Sequence, residues 1–444
     1  MRCAAALVAL ATLAFAHAAR ANGRLPAANQ LVFAPDDPSS MTLRTTFGML
    51  FTSDAGKTWD WLCEDAIPMS GQQDPAITLL NGGVVISAQQ EGLATSPDRG
   101  CSWSFVAGTA KNLAVDVART TDGESAVAIM NVYQATNDAG TLLYQSNVLH
   151  TSDAAKTWQS LSGAIDPTLV IDTIDLAPSD PQRIYVTGET YGAPNGTMLV
   201  SSDGGQTYTP YTIPFVSNEL GAYIAAVDPT NEDLVYVRTL GRLPTNETVS
   251  RLLVSSDGGQ TYGAYWSGDA MLGFALSPDG SRVYIGNIAD GLFAANASDL
   301  NFTQLSPLQV QCLAMRDTTL YVCSNETSSV AQTGSSFVLA TTIDEGQSFT
   351  PLLALETIAG PIACAAGTSA AICANEWPTL AYQLHDDAGT ESASDASADA
   401  APPSSNCGCE TSDPKSGAIF AGLAFALYLV RRLILRSRLS RAAR

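Results

Sequence analysis

The octad Thr-Ser-Asp-Ala-Gly-Lys-Thr-Trp at residues 52–59 is the stretch that decides the fold, because it recurs along the chain. The recurring pattern is Ser/Thr-x-Asp-x-Gly-x-Thr/Ser-aromatic, with alanine in the glycine position of one copy. Further copies lie at residues 96–103, 151–158, 201–208, 255–262 and 342–349, and a worn copy at 295–302 keeps only the aromatic residue. Each octad follows a short apolar segment, so it is placed to join two strands.

The residue types of the octad are those of a hairpin turn. The Asp carboxylate can accept hydrogen bonds from backbone N–H groups two residues further on. The Gly supplies the positive φ that a chain reversal requires, and the Thr and aromatic residue that follow favour a strand. The octad is therefore predicted to be a strand–turn–strand unit. Its acidic residues are predicted to be structural: Asp54, Asp98, Asp153, Asp203, Asp257 and Asp344.

The octad resembles the Asp-box, or BNR, repeat of β-propellers such as sialidases, sortilins, xyloglucanases and photosystem assembly factors. The aromatic residues that close the octads are spaced by 40 to 55 residues, which suits four-stranded blades. We therefore expect an all-β chain with a single propeller of seven four-stranded blades over residues 29–384. A further hairpin is predicted from Pro361–Ala365 and Ala370–Ala374, followed by Trp377–Leu384. It leaves open an eighth blade completed by an N-terminal strand, or a cap on a seven-bladed ring. The resemblance implies an architecture rather than a function, because these families share little beyond the fold.

Charge excludes one class of partner. The chain has a formal net charge of −21, and residues 24–406 alone carry 13 basic and 41 acidic side chains. Such a surface repels nucleic acid phosphates. It favours a soluble monomer instead.

The two ends of the chain predict its location. Residues 1–21 combine Arg2, an apolar run and small residues, which is the pattern of a secretory signal peptide with an N-terminal helix. Residues 385–406 are acidic and poor in apolar side chains, and are predicted to be a disordered linker. Ala418–Val430 is predicted to be a transmembrane helix, followed by an Arg-rich end that would stay in the cytoplasm.

Residues 407–444 resemble the C-terminal sorting signal of myxobacterial surface proteins, which combines a cysteine motif, a short span and an Arg cluster. The resemblance implies that a sorting protease in the membrane removes the tail and that Cys407 or Cys409 is kept as the anchor. We therefore expect an exported protein anchored at the cell surface or outer membrane. A plain C-terminal membrane anchor is the alternative.

Cysteine positions predict three disulfides. Cys312 and Cys323 are symmetric about the centre of one predicted hairpin, and Cys364 and Cys373 about another, so each pair would lie opposite on antiparallel strands. The remaining pair, Cys63 and Cys101, would join the first two blades. An exported protein permits all three bonds. Without a Cys-x-x-Cys motif, we predict no metal site and no cofactor.

Function is predicted on the face opposite the octads. Long connections are expected there at residues 131–147, 188–196, 240–250 and 324–336. Tyrosine among small polar residues is typical of recognition surfaces. Four residues of these connections are the candidate ligand-binding set: Tyr133, Tyr144, Tyr191 and Arg242.

The sequence contains few side chains from which a known catalytic set could be built. With three histidines, one in the signal peptide, neither a Ser–His–Asp triad nor a His-rich metal site can be built. The N-terminal Arg motif of sialidases is missing, and no catalytic residue is assigned. We therefore expect a non-catalytic module that binds an extracellular glycan or protein. The alternative, a sialidase- or xyloglucanase-like glycoside hydrolase, stays open among the many carboxylates.

Overall fold

A computed structural model of the chain describes residues 25–138, 140–326 and 335–387, except the side chains of 385–387. In these residues, 28 of the 29 strands form seven four-stranded sheets in which consecutive strands pair antiparallel, and the last strand adds to the first sheet. Each sheet is one blade. The expectation of an all-β propeller with seven blades is therefore confirmed.

The strands of the blades are numbered in chain order. Those of blades 1 to 3 are β1 (Ala28–Phe33), β2 (Met41–Thr45), β3 (Gly48–Thr52), β4 (Asp60–Leu62), β5 (Ala76–Leu80), β6 (Val84–Gln89), β7 (Gly92–Ser96), β8 (Ser104–Phe105), β9 (Leu113–Arg119), β10 (Ala126–Thr136), β11 (Leu142–Thr151) and β12 (Gln159–Ser160). Those of blades 4 to 7 are β13 (Leu169–Ala177), β14 (Asp180–Thr190), β15 (Gly196–Ser201), β16 (Thr209–Ile213), β17 (Glu219–Val227), β18 (Val235–Arg242), β19 (Thr248–Ser255), β20 (Gly263–Gly268), β21 (Gly273–Leu276), β22 (Arg282–Asn287), β23 (Gly291–Asn296), β24 (Thr303–Ser306), β25 (Cys312–Arg316), β26 (Thr319–Cys323), β27 (Leu339–Thr342) and β28 (Thr350–Leu353).

The first strand of each blade contacts the first strand of the next, and β25 contacts β1, so the ring is closed. The core lies between blades rather than within one sheet. Val127 and Ile129 of blade 3, for example, pack in one cluster with Leu169, Ile171 and Ile174 of blade 4. Each blade therefore depends on its neighbours for the burial of its apolar faces.

The octads form the turns between the third and fourth strands, as predicted, but their hydrogen bonds differ from the expectation. The N–H two residues after Asp54, that of Gly56, donates to the Thr52 hydroxyl at 3.0 Å. Asp54 Oδ1 instead accepts from the N–H groups of Lys57 and Thr58, each at 3.0 Å. The hydroxyl that opens the octad takes the first donor, so the carboxylate binds the next two. Hydrogen bonds from the N–H and hydroxyl of Thr58 lower the pKa of Asp54 to about 2.

The contact between the carboxylate and the N–H four residues on recurs in every complete octad. It is present at Asp98, Asp153, Asp203, Asp257 and Asp344. In the third copy, alanine at 155 replaces the glycine and adopts a φ of 62°. The turn geometry is therefore kept even where the residue is not the one that favours it.

Within the described residues no eighth blade follows blade 7, and the hairpin predicted at 361–374 is wrong. β29 (Gly360–Pro361) pairs parallel with β4 as a fifth strand of blade 1, and α1 (Cys373–Asp387) follows. Trp377, Leu380 and Leu384 are spaced by three and four residues, which is a helical period. Trp377 packs against Trp61 with ring centroids 5.6 Å apart. Single 3-10 turns occur at Glu64–Ala66, Asn81–Gly83, Leu355–Thr357 and Ser369–Ile372.

Two of the three predicted disulfides are wrong in their pairing. Cys312–Cys323 joins the first two strands of blade 7, as expected. Cys63 pairs with Cys373 rather than Cys101, and Cys101 pairs with Cys364. Because residues 364–373 do not form a hairpin, their two cysteines do not face each other. Each bonds instead to one of the first two blades.

These two bonds are part of how the ring is closed. Blades 1 and 7 each take their four antiparallel strands from one continuous stretch of chain, and β29, from the chain that follows blade 7, adds to blade 1 as a parallel fifth strand. Across their seam, Arg316 donates to the carbonyl oxygens of Ala34 and Pro38, both at 2.7 Å. Its guanidinium also lies 4.3 Å from the ring centroid of Phe33. The segment from β29 through α1 then fastens the last part of the chain to blades 1 and 2.

Among the described residues, no helix is both long and apolar enough to cross a bilayer. The predicted signal peptide, and the predicted linker and sorting signal beyond residue 387, lie outside the described residues.

Candidate functional site

Strand direction divides the propeller into two faces. The octads join third to fourth strands on one face, so the connections from second to third strands, and from one blade to the next, lie on the opposite face. We call this second face the upper face. It carries all four residues of the predicted ligand-binding set.

Three of the four predicted long connections are partly strand. β10 extends to Thr136 and β11 begins at Leu142, so residues 131–147 form an extended hairpin rather than a loop. In the same way β14 runs to Thr190 and β18 to Arg242, which shortens the other two connections to 191–195 and 243–247. Backbone pairing beyond the core explains the difference, because it needs no apolar pattern. In the fourth connection, residues 327–334 lie outside the described residues.

Tyr133 and Tyr144 are brought together on blade 3. They are cross-strand partners near the end of the extended hairpin, with ring centroids 6.0 Å apart and ring planes at 71°. The Tyr133 hydroxyl lies 2.9 Å from that of Thr136. The edge-to-face contact orders the pair, while 39% of Tyr133 stays exposed.

Tyr191 and Arg242 lie on the next two blades. Tyr191 follows the last residue of β14 and is 47% exposed. Arg242 ends β18 and donates to Asn246 Oδ1 at 2.6 Å, across the tip of its own hairpin. The four predicted residues therefore occupy the upper face of three consecutive blades.

Sequence reasoning missed the apolar side chains on these blades. Leu113 begins β9 and is 36% exposed, while Val216 and Leu220, at the start of blade 5, are 53% and 43% exposed. We call Leu113, Tyr133, Tyr191, Val216 and Leu220 the upper arc. The aliphatic members could have been found as apolar residues at the very start of inner strands. The exposure of these aliphatic side chains could not be predicted from the sequence, because it depends on neighbouring chain segments that are distant in sequence.

A buried ion pair fixes the segment that displays Val216 and Leu220. Arg251 donates from Nε and from a terminal nitrogen to the two carboxylate oxygens of Glu219, at 2.7 and 2.6 Å. The second oxygen also accepts from the N–H of Val216 at 2.7 Å. Burial favours a raised pKa of Glu219, but hydrogen bonds from Arg251 and Thr239 outweigh it and lower the pKa below its ordinary value. The Glu219 carboxylate therefore has a structural role, which is to hold the backbone at Val216.

The inner strands are linked across blades by side-chain hydrogen bonds. Asp116 of blade 3 accepts from the N–H of Ile174 in blade 4 at 3.1 Å, and the Thr173 hydroxyl accepts from the N–H of Ile224 in blade 5 at 3.0 Å. Burial raises the pKa of Asp116 to about 7 and that of Asp175 to about 6. Both carboxyls are near the middle or lower part of their strands, away from the upper arc.

A cavity of about 170 Å³ lies beside these strands, lined by residues of blades 1, 5, 6 and 7 that include Asn29 and Arg238. Arg238 donates to the carbonyl oxygen of Met271, and its guanidinium lies 5.5 Å from the ring centroid of Tyr223. Burial lowers the pKa of this guanidinium. Within the described residues, no three His, Cys, Asp or Glu side chains are grouped so that they could hold a metal ion.

No family model matches the sequence. A segment of 108 residues is 33% identical to the oligoxyloglucan-reducing end-specific xyloglucanase of Emericella nidulans, and covers 23% of this chain and 12% of that protein. The chain thus matches about one eighth of the length of this curated relative.

Two solved structures show low-identity likenesses. The GH74 enzyme of Niastella koreensis aligns over 76% of this chain and 66% of its own, with 12% identity and a TM-score of 0.40. YCF48 bound to D1 peptide aligns over 67% of this chain and 88% of its own, with 13% identity and a TM-score of 0.42. The propeller assignment rests on the seven sheets described above.

Proposed function

We propose that this protein is a carbohydrate-active propeller of the Asp-box type that acts as a glycoside hydrolase on a β-glucan of the xyloglucan class. The observation that carries the proposal is the upper arc, which exposes tyrosine and aliphatic side chains on three consecutive blades. The substrate class is taken from the 108-residue match to a xyloglucanase. This reading replaces the expectation of a purely non-catalytic module as the first candidate.

The upper arc suits a sugar chain for a physical reason. Sugar rings present flat C–H faces, which pack against aromatic rings, and hydroxyl edges, which need hydrogen-bonding groups. Tyr191 and Tyr133 offer both a ring and a hydroxyl. An arc across three blades gives room for several consecutive sugar units.

Hydrolysis needs two carboxylates at the bound chain, one as acid and one as base or nucleophile. The octad carboxylates are on the other face, and Glu219 is held by Arg251. Blade 4 supplies two others: Glu189 lies near the upper end of β14, two residues before Tyr191, and Asp172 lies on the paired strand β13. Both are buried, with 5% and 9% exposure. We assign them as the candidate catalytic pair.

The proposal is tested by incubating the purified full-length chain with xyloglucan oligosaccharides and measuring new reducing ends. Glu189→Gln and Asp172→Asn should each reduce the rate by a factor of about 100 or more, the scale of general acid–base catalysis. Tyr191→Ala should raise KM. Tyr265, on outer strand β20 and 48% exposed, provides the matched control, and Tyr265→Ala should change neither value.

A second candidate is a non-catalytic module that binds the same glucan. It is favoured by Glu219, a buried carboxylate beside the arc that serves to fix the segment carrying Val216 and Leu220. Saturable binding that is lost in Tyr191→Ala, without any new reducing ends from the wild type, would select this candidate. If the wild type neither binds nor cleaves the oligosaccharides, both candidates are wrong.

We also propose that the protein is exported and anchored at the cell surface through Cys407 or Cys409. The support is the sequence pattern at the two ends of the chain. Replacing both cysteines with serine should release the protein into the medium. If the double variant stays attached and keeps its tail, a plain C-terminal membrane anchor is the better account.

A further inference from the structure

The cavity beside the inner strands has one strongly polar end. Arg238 lines it, and within the described residues no carboxylate lies within ion-pair distance of this guanidinium. One terminal nitrogen donates to Met271, and the other N–H donors of the guanidinium have no acceptor among the described residues. Arg238 is partly buried, and a guanidinium withdrawn from water without a paired anion is costly unless something compensates its charge. The positive charge at this end of the cavity therefore favours the binding of an anion.

Asn29 adds a second donor to the same cavity. Its Oδ1 accepts from Arg44 Nε at 2.7 Å, and Arg44 in turn donates to the carbonyl oxygen of Pro75 at 2.6 Å. Because the side-chain oxygen is occupied by Arg44, the amide is oriented with its NH₂ group as the remaining polar function. Gln30, the other amide of the lining, uses both its ends on Ile77. At the polar end, the side-chain groups of Arg238 and Asn29 that these contacts leave over are therefore donors.

The side chains that form the remaining walls of the cavity are apolar. Leu31, Ile224, Leu272, Phe274 and Leu313 form these walls. The volume of about 170 Å³ is close to that of cavities that bind benzene. A ligand that satisfies both ends has one anionic group and a compact apolar body.

We propose that this cavity is a binding site for a small monocarboxylate, whose carboxylate is held by Arg238 and Asn29 and whose apolar body packs against Leu272 and Phe274. Guanidinium is the side chain best matched to a carboxylate, through two parallel hydrogen bonds. The site is separate from the upper arc and does not depend on the function proposed for the arc. Its ligand is a free small molecule rather than a sugar chain.

The acidic side chains nearby do not cancel this preference. Asp116 attracts Arg238, but its oxygens accept hydrogen bonds from the N–H groups of Ile174 and Val117. Burial raises the pKa of Asp116 to about 7 and of Asp175 to about 6. Because both pKa values are raised, the two carboxyls lose their charge as the pH falls from neutral, so carboxylate binding is best measured in mildly acidic solution.

The experiment is calorimetric titration of the full-length chain at pH 5.5 with acetate, isobutyrate and benzoate, and with benzyl alcohol as the uncharged control. We expect saturable binding of at least one carboxylate and none of the alcohol. Asn29→Asp keeps the acceptor for Arg44 but places a second acceptor where the donor was, so the affinity should fall by about tenfold or more. Arg238→Gln should abolish binding.

Arg282→Gln is the matched control, because Arg282 is paired with Glu345 at the octad face. It should bind as the wild type does. Thermal unfolding of each variant separates loss of the site from loss of the fold, and Asn29→Asp carries the test if Arg238→Gln does not fold. The proposal is wrong if none of the three carboxylates binds better than benzyl alcohol, or if Asn29→Asp binds them with wild-type affinity.

Discussion

The two disulfides that fasten residues 360–387 to blades 1 and 2 should stabilise the fold in a coupled way. Cys63–Cys373 spans 310 residues and Cys101–Cys364 spans 263. In the chain-entropy treatment, a cross-link over 310 residues stabilises by about 5.7 kcal/mol at 25 °C when it is alone. When the other bond is intact, the loop that it closes shortens to about 47 residues, and its contribution falls to about 4 kcal/mol.

The expected costs follow from these values. Cys63→Ala with Cys373→Ala should lower the free energy of unfolding by about 4 kcal/mol, and so should Cys101→Ala with Cys364→Ala. Removing both bonds should cost about 10 kcal/mol, which is more than twice the cost of either, because only then is the unfolded chain free of the long loop. Loss of Cys312–Cys323, which spans 11 residues, should cost about 3 kcal/mol and add independently.

Guanidinium denaturation of the four variants, followed by tryptophan fluorescence, measures these costs. The slope of the transition should also increase when both bonds are absent, because the unfolded state becomes more extended. If the double-bond variant loses no more stability than the sum of the two single-bond variants, the coupling argument is wrong. If Cys63 and Cys101 are found bonded to each other by peptide mapping, the closure itself is wrong.

Two other predictions concern single residues. Ala155 occupies the glycine position of its octad at a φ of 62°, so Ala155→Gly should stabilise the fold by about 0.5–1 kcal/mol in thermal unfolding, whereas Gly205→Ala in the next octad should destabilise it by at least as much. A destabilised Ala155→Gly variant would contradict this account. Burial raises the pKa of Asp175 from the ordinary 3.8 to about 6, so its ionisation opposes folding, and this penalty grows as the pH rises from 4 and is complete above about 6. Asp175→Asn should therefore be more stable than the wild type at pH 8 and similar to it at pH 4, and a pH-independent difference would contradict the assignment.

The repeated octad was enough to predict the propeller because its signal is local. Each copy carries its own turn chemistry, and the order of strands around it follows from short connections. Even here the detail differed, since the hydroxyl of Thr52 takes the hydrogen bond that was expected for Asp54. The Thr52 hydroxyl and the Asp54 carboxylate compete for the same N–H donor, and the sequence pattern does not show which of them accepts the hydrogen bond.

The end of the chain could not be predicted in the same way. Cys364 and Cys373 are as symmetric about a predicted turn as Cys312 and Cys323, yet only the second pair is a hairpin. The helical period of Trp377, Leu380 and Leu384 was the local signal for the helix that follows. The partners, Cys63 and Cys101, are more than 260 residues away, and only closure of the ring brings them near.

The candidate site was predicted in part, for a related reason. Tyr133 and Tyr144 were expected in one connection, and the structure brings them into ring contact. The exposed Leu113, Val216 and Leu220 were missed, because apolar residues at strand starts are ordinarily assigned to the core. Arg238 and Asn29 belong to blades 5 and 1, and no sequence spacing relates them.

Disulfides stabilise one side of the ring and hydrogen bonds stabilise the other, and this difference affects the upper arc. The disulfides lie in blades 1, 2 and 7, whereas blades 3 to 5 contain no cysteine at all. Blades 3, 4 and 5 are linked instead by hydrogen bonds from Asp116 and Thr173 to the next inner strand, and the Arg251–Glu219 pair fixes the last part of the arc. None of these contacts uses the closing segment. We therefore expect glucan binding at the arc to survive reduction of Cys63–Cys373 and Cys101–Cys364 under conditions where the chain stays folded, and to be lost with Arg251→Ala while the disulfides are intact.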